Sequence, residues 1–322
     1  MAITATEDLG NGLKATANIN TGVGGGTATF AGRDRSLSLS GGFGTVRIGN
    51  FGPASDGSGN FLAGTTNTAG SGDGLTNTTA GAHGRRVAMQ YTTPNMGGLT
   101  AAVTYASGKA DKLASDGKTG AGLMGLNLSY AQGPLSVAAG TSTTTVNVEA
   151  VAGTAGMCVT AATSTVVAAT ATTSACTNGT NIGWVAPVAA KETKDKQMYV
   201  GASYDLGVAT VVANYRTGKS TNVGTGVNTH NIRATTFGVT VPMGAVTLAA
   251  NMYTGKDSVA AAAADDGFKL KGNQISARYA LSKRTFAYVA QGRAEKTRDA
   301  ANATTGATTV LKQTTAGLVH SF

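Results

Sequence analysis

The stretch QMYVGASYDLG, residues 197–207, alternates strictly between apolar and polar side chains. Its apolar parity holds Met198, Val200, Ala202, Tyr204 and Leu206. A period of two residues is that of a β-strand, whose successive side chains point to opposite faces of the sheet. One face of this strand is therefore apolar and the other polar. A single strand does not tell whether the apolar face meets a protein core or a lipid bilayer.

The same alternation recurs in other segments, such as 13–20, 208–216 and 274–281. Charged and amide side chains repeatedly occupy the polar parity, as Lys14 and Asn18 do between Leu13 and Ile19. An apolar exterior around a polar, charged interior is typical of a transmembrane β-barrel, whereas the apolar faces of a soluble barrel meet inside. Aromatic residues toward strand ends favour an interfacial girdle; they are Tyr105, Tyr130, Tyr204, Tyr215, Tyr253 and Phe322.

Turns of two sizes separate the strands. The short turns fall in 7–13, 40–46, 93–99, 130–135, 204–209, 241–246 and 281–286, and the long polar stretches in 50–84, 106–120, 142–196, 217–230, 255–271 and 295–308. This spacing predicts an antiparallel meander of about 15 strands with two unequal rims. Because single-chain bacterial barrels have an even strand number, we expect a 16-stranded antiparallel transmembrane β-barrel whose first strand, before residue 1, is missing. Residues 1–322 would form one domain.

Composition argues against several other classes of protein. The net charge is +9, from 25 Lys and Arg against 16 Asp and Glu, but no basic run or nucleic-acid motif accompanies it, so we expect no nucleic-acid partner. The histidines His83, His230 and His320 are isolated, without the spacing of a catalytic triad or of an HExxH motif. The sequence therefore predicts no enzyme activity, no metal and no cofactor.

Residues 151–176 are uncharged but rich in Thr and Ser, which makes them a poor membrane helix. They are better interpreted as part of a long extracellular loop over 142–196. Cys158 and Cys176 are the only cysteines, and we expect them to form a disulfide in an oxidising compartment, with two free thiols as the alternative. The start MAITATEDLG lacks the charged and apolar regions of a signal peptide, so we expect a mature or truncated form.

Six segments carry a resemblance to a known family: TEDLGNGLKA (6–15), SLSGGFGTVRIGN (38–50), YTTPNMGGL (91–99), YDLGVATV (204–211), ALSKRTFAYV (280–289) and GLVHSF (317–322). In this order and spacing, the sequence resembles the Gram-negative trimeric general porins, in particular their anion-selective branch. The resemblance implies a homotrimer in outer-membrane lipid and a third loop, here 50–84, folded into the lumen as a constriction. It also implies that the terminal Phe322 is read by the barrel-assembly machinery.

Inward parity selects the candidate residues of the pore wall, namely Lys14, Arg47, Arg86, Arg216, Arg278 and Arg293. Arg47 and Arg86 flank the constriction loop and rank first, and Asp56 and Asp73 on that loop could oppose them to form a transverse field. Strict parity turns Asp34 inward and Arg33 and Arg35 outward, although a bulge would reverse this.

These residues predict a passive outer-membrane channel for small hydrophilic solutes with a preference for anions. Size at the loop and attraction along an arginine-rich wall would select the solutes. Two alternatives remain open at this point. One is a substrate-specific channel for phosphate or organic acids, which needs a defined cationic cluster, and the other is a structural or adhesive surface protein.

Overall fold

A computed structural model describes residues 2–20, 34–52, 86–107, 118–148, 156–159, 164–167, 180–182, 191–258, 267–298 and 308–320. The strands are β1 (Ala2–Gly10), β2 (Leu13–Asn20), β3 (Arg35–Gly41), β4 (Gly44–Phe51), β5 (Arg86–Thr92), β6 (Leu99–Ala106), β7 (Lys118–Gln132), β8 (Leu135–Val148), β9 (Gly156–Val159), β10 (Ser164–Val167), β11 (Thr180–Ile182), β12 (Lys191–Asp205), β13 (Thr210–Asn222), β14 (Asn228–Met243), β15 (Val246–Asp257), β16 (Phe268–Ala280), β17 (Thr285–Arg298) and β18 (Thr308–His320). Within these ranges, no helix is long and apolar enough to cross a membrane.

One sheet contains 15 of these strands, in the order β1 to β8 followed by β12 to β18. Every neighbouring pair in it is antiparallel, so the chain runs up and down as a meander. The remaining strands form a small separate sheet in the order β10–β9–β11. The predicted all-β meander is therefore confirmed, and the expected strand before β1 stays a prediction.

The short turns all lie at one end of the strands of the large sheet, which we call the short-turn rim. We call the opposite end of the strands the long-loop rim. Asn11 and Gly12 join β1 to β2 with φ angles of 51° and 76°, as the mirror-image turn of a two-residue hairpin requires. Gly133, with φ of 59°, precedes Pro134 in the β7–β8 turn. These turns match the twist of the flanking strands, and their predicted positions are confirmed.

The two faces of the sheet reverse the polarity of a soluble protein. One face, which we call the inner face, buries many polar side chains beside alanines and a few larger apolar residues; the polar ones are Gln90, Thr104, Asn127, Ser142, Thr144, Gln197, Ser220, Thr236, Asn251, Asp257 and Gln274. The opposite, outer face exposes large apolar side chains, such as Met198 at 51% and Ile275 at 62%. Since soluble domains bury apolar residues and expose polar ones, an exposed apolar face of this extent needs lipid as its solvent.

Three tyrosines of the inner face lie flat against glycines of a neighbouring strand. Tyr199 covers Gly140, where an added Cβ would come within 2.7 Å of the ring. Asn127 also donates a hydrogen bond to the hydroxyl of Tyr199. Tyr253 covers Gly272, and Tyr288 covers Gly317, where an added Cβ would lie 2.8 Å from the hydroxyl oxygen. Glycine lets each ring pack directly on the wall, and the ring in turn covers backbone that glycine leaves bare.

Replacing Gly272 with Ala is expected to lower the unfolding free energy by about 1–3 kcal/mol, as overpacking of a filled site does. The new methyl group would overlap the ring of Tyr253 and approach the carbonyl oxygen of Arg293 at 2.7 Å. Gly42→Ala is the matched control, because no atom lies within 4 Å of its added Cβ. Thermal unfolding in detergent, followed by circular dichroism, measures both; equal midpoints for the two variants would contradict the packing role of Gly272.

Several strands extend further toward the long-loop rim than the sequence predicts. β8 continues to Val148 and β12 begins at Lys191, so both ends of the predicted loop 142–196 are strand. β13 reaches Asn222 and β14 begins at Asn228, which makes the predicted long stretch 217–230 wrong in its extent. Near the long-loop rim the side chains are polar on both faces. The alternation of apolar and polar residues therefore ends there, although the backbone hydrogen bonding of the strands continues.

Candidate pore wall

Five predicted wall cations lie on the inner face, and they are Lys14, Arg47, Arg86, Arg216 and Arg278. Direct pairing across the strands shows this, since opposite residues share a face. Arg47 of β4 is opposite Ser38 and the buried Gln90, and Arg86 of β5 is opposite the buried Phe51. The cations are thus distributed along the wall over β2, β4, β5, β13 and β16.

Arg47 has two contacts that fix its guanidinium group. Its Nη2 lies 3.7 Å from Oδ2 of Asp34, and its Cζ lies 4.0 Å from the centroid of the Phe51 ring. Asp34 faces inward, as strict parity predicts. Because both side chains of the ion pair keep about 30% of their surface exposed, at 28% and 30%, the pair is screened and adds little stability. Its structural effect is to hold a positive group at a defined place on the wall.

Other inner-face cations also lie over aromatic rings. Arg216 is 5.9 Å from the ring centroid of Tyr199, and Arg278 is 4.4 Å from that of Phe286. The ammonium group of Lys296 lies 4.0 Å from the ring centroid of Phe268. An aromatic ring attracts a cation through its quadrupole but carries no net charge. These contacts therefore position the cations without neutralising them.

The prediction that Arg293 faces the interior is wrong. Arg293 is 54% exposed and lies on the outer face, where it is opposite Asn273 and Lys312. The error arose because β17 has apolar residues on both parities, with Phe286 and Tyr288 on one and Val289 on the other. Pairing with β16 resolves the ambiguity, since it places the buried Ala290 opposite Ser276 and turns Val289 outward.

The corrected orientation of β17 also places two cations on the inner face that the sequence analysis missed, Lys296 and Arg298. Both share the parity of the buried Ala290 on β17. The aromatic contact of Phe286 with Arg278 would have indicated the correct face, but it is visible only when β16 and β17 are paired. Among the residues whose side chains the structure describes, the inner face then has seven cations. These are Lys14, Arg47, Arg86, Arg216, Arg278, Lys296 and Arg298.

The acids of the inner face are bound by neighbouring groups. Asp257 is fully buried, with His230 Nδ1 at 2.8 Å from Oδ2 and the amide nitrogen of Asn231 at 3.0 Å from Oδ1. The interpretation of His230 as isolated is therefore wrong. Asp195 accepts a hydrogen bond from Ser220. Asp8 and Asp205 are also on the inner face, at the short-turn rim. Each accepts a hydrogen bond from a backbone amide of its turn.

Arg35 is exposed on the outer face, on the same parity as Leu37, as strict parity predicts. Tyr253 belongs to the buried inner face and not to the predicted aromatic girdle, whereas Tyr105 and Tyr204 are exposed on the outer face at 55% and 44%. Cys158 lies in β9, opposite Thr165 and Asn181. Six positions named in the sequence analysis lie outside the described residues, and they are Arg33, Asp56, Asp73, His83, Cys176 and Phe322.

A family profile matches nearly the whole chain. The profile of the family described as Gram-negative porin aligns with residues 1–299. The chain belongs to the Gram-negative porin family. This porin is accordingly a passive diffusion channel of the outer membrane and not an enzyme. No curated protein gives a significant sequence match.

Solved structures of outer-membrane proteins share the fold of this porin. An anion-selective porin from Comamonas acidovorans superposes with a TM-score of 0.68 at 22% identity, covering 100% of this chain and 88% of that chain. OmpT of Vibrio cholerae, in a trimer form, gives 0.65 at 13% identity, covering 98% and 87%. OmpF of Salmonella typhi, in complex with daunomycin, gives 0.55 at 13% identity, covering 90% and 81%. The sheet of this porin therefore has the architecture of porin barrels.

Proposed function

We propose that this porin prefers anions, and that the cations of its inner face produce the preference. The described side chains of the inner face include seven cations and five acids; the acids are Asp8, Asp34, Asp195, Asp205 and Asp257. The walls of a narrow water-filled passage focus the field of such charges and raise the local concentration of counter-ions. The anion-selective porin from Comamonas acidovorans has the same fold, which agrees with the proposal but does not carry it.

The observation that carries the proposal is the support of wall cations by aromatic rings. Arg278 and Lys296 lie 4.4 Å and 4.0 Å from ring centroids. A cation held by a carboxylate would present almost no net charge to a passing solute. A cation held by a ring keeps its charge and its position, which is what a selective wall requires.

We further propose that segment 50–84 forms the constriction, with Arg47 and Arg86 on the wall at its two ends. A small apolar cluster on the inner face supports this arrangement, since Phe51, Ala88, Ala106 and Leu123 are all less than 7% exposed. Apolar groups on the wall of an aqueous passage are stable only where other atoms cover them. Asp56 and Asp73 of the segment would oppose the two arginines and set a transverse field.

The proposed assembly is a homotrimer, and OmpT of Vibrio cholerae provides a precedent within this fold.

We also propose that Cys158 and Cys176 form a disulfide in the loop region, and that Phe322 is the signal for the barrel-assembly machinery. Thiol alkylation followed by intact-mass measurement tests the disulfide. Label on either cysteine without prior reduction would contradict it.

Solute uptake tests the anion preference in the wild-type protein. Liposomes containing the porin should admit a six-carbon sugar acid faster than the uncharged sugar alcohol of similar size, and the sugar alcohol faster than the corresponding amino sugar. The expected ratio between the anion and the cation is roughly threefold or more, because the wall field acts on them with opposite sign. Faster entry of the cation would refute the proposal. Saturable block of chloride current by phosphate or citrate would instead establish the substrate-specific alternative.

A further inference from the structure

The guanidinium group of Arg278, on the inner face of β16, is held in place by an aromatic ring. Its Cζ lies 4.4 Å from the ring centroid of Phe286, which is diagonally across from Arg278 on β17. In the described part of the chain, no hydrogen bond or ion pair involves this group, whereas Arg47 is paired with Asp34. The guanidinium group of Arg278 therefore has a defined position and keeps its N–H donors available to a solute.

A second aromatic ring lies beside Arg278 on the same face. Tyr288 of β17 is directly opposite Arg278, and residues in that relation have Cβ atoms about 5 Å apart. One side of the Tyr288 ring packs on Gly317 of β18. Arg278 and Tyr288 are half-buried, whereas Tyr199, at 4% exposure, is closed to solutes. The side of the Tyr288 ring that faces the lumen is therefore accessible.

The surroundings of Arg278 and Tyr288 are positively charged. On β15–β18 the described acid of the inner face is Asp257, ten residues along β15 from Thr247, which is directly opposite Arg278. Ten residues of strand span about 33 Å. The adjoining β16–β17 turn carries two further exposed cations, Lys283 and Arg284. An anion at Arg278 consequently meets a positive charge that no described acid nearby compensates.

We propose that Arg278 and Tyr288 form a binding site for aromatic carboxylates, such as benzoate and its hydroxylated derivatives, on the wall of the lumen. This binding rests on the proposed anion preference, because the acid must first enter the channel. The planar guanidinium group of Arg278 donates two parallel hydrogen bonds to the carboxylate. The ring of the acid then stacks, with an offset, on the accessible side of Tyr288.

Other anions fit this site less well. The site lies near the short-turn rim, since Arg278 is two residues from Ala280 at the end of β16 and Tyr288 is three from Thr285 at the start of β17. Chloride or phosphate reaching this level would contact the guanidinium group but leave the Tyr288 ring uncovered. A saturated ring acid, cyclohexanecarboxylate, has the charge and the approximate size of benzoate without its flat face. Comparing these two acids therefore separates stacking from charge and from general hydrophobicity.

Block of the chloride current in a planar bilayer at neutral pH tests the site, with benzoate and cyclohexanecarboxylate as the probes. Benzoate should halve the wild-type current at an about fivefold lower concentration than cyclohexanecarboxylate, which is the ratio that one stacked aromatic pair provides. In Tyr288→Leu, which removes the ring but no charge, the two acids should block equally. In Arg278→Gln the half-blocking concentration of both acids should rise about tenfold or more. The matched control Tyr279→Leu removes a ring that is 51% exposed on the outer face and should keep the fivefold preference.

The outcomes are distinct from those of the proposed function. Both probes carry one negative charge, so the ratio of their blocking concentrations does not depend on the ion preference that the zero-current potential measures. Equal block by the two acids in the wild type, or no block by either, would overturn the aromatic site and leave the anion preference intact. A preference for benzoate that persists in Tyr288→Leu, or that Tyr279→Leu abolishes equally, would also overturn it. The wild-type ratio decides even where a variant fails to insert.

Discussion

Replacing Leu37 with Arg should destabilise the inserted barrel by about 2–4 kcal/mol, which is the cost of an arginine on the lipid face near the bilayer midplane. Leu37 is 51% exposed on the outer face of β3 and pairs with Ile48, which is 50% exposed. It lies four positions from Gly41 at the short-turn end of the strand, within the apolar zone. Urea unfolding in lipid vesicles measures the change.

The neighbouring residue provides the control. Ser36 is on the inner face, opposite Gly49, so an arginine there points into the aqueous lumen. Ser36→Arg should change the unfolding free energy by less than about 1 kcal/mol, as surface substitutions do. If Ser36→Arg were the more damaging of the two, the assignment of the inner and outer faces would be reversed.

The second large effect concerns ion selectivity. The double variant Arg47→Gln/Arg86→Gln removes two inner-face charges beside the proposed constriction and leaves a neutral, polar amide in place of each guanidinium group. Two such charges contribute on the order of 1 kcal/mol to the energy of an anion at intermediate dielectric. The chloride permeability should therefore fall about fivefold, and the chloride-to-potassium permeability ratio by at least that factor, in bilayer recordings.

Arg35→Gln/Lys283→Gln removes the same net charge from places outside the lumen, since Arg35 lies on the outer face and Lys283 in a short turn. The permeability ratio of this variant should match that of the wild type. A similar loss in both double variants would mean that overall charge, and not the inner wall, determines selectivity.

The faces of most strands could be predicted from the sequence because lipid and water impose opposite polarities on alternate residues. Met198 and Val200 show the rule, with 51% and 46% exposure around the buried Tyr199. The rule fails on β17, where the inner wall accepts the aromatic Phe286 and Tyr288 and both parities look apolar. Only pairing with β16 distinguishes them, and pairing depends on residues distant in sequence.

The strand ends and the wall contacts could not be predicted for a related reason. Beyond the apolar zone both faces meet water, so Ser142 and Thr144 on β8 carry no alternating hydrophobicity although both are buried strand residues. The positions of Arg278 over Phe286 and of His230 beside Asp257 depend on contacts between strands. Charge and parity in the sequence indicate candidate wall residues. Predicting which side chains those residues contact requires the pairing register of the strands.

The zero-current potential of wild-type channels in a planar bilayer under a KCl gradient tests the central claim most directly. Seven inner-face cations, several held over neutral rings, predict a potential of the sign that chloride permeation produces, together with stepwise conductance. A potential of the opposite sign would contradict the account, because it would mean that acids dominate the passage despite the cationic wall.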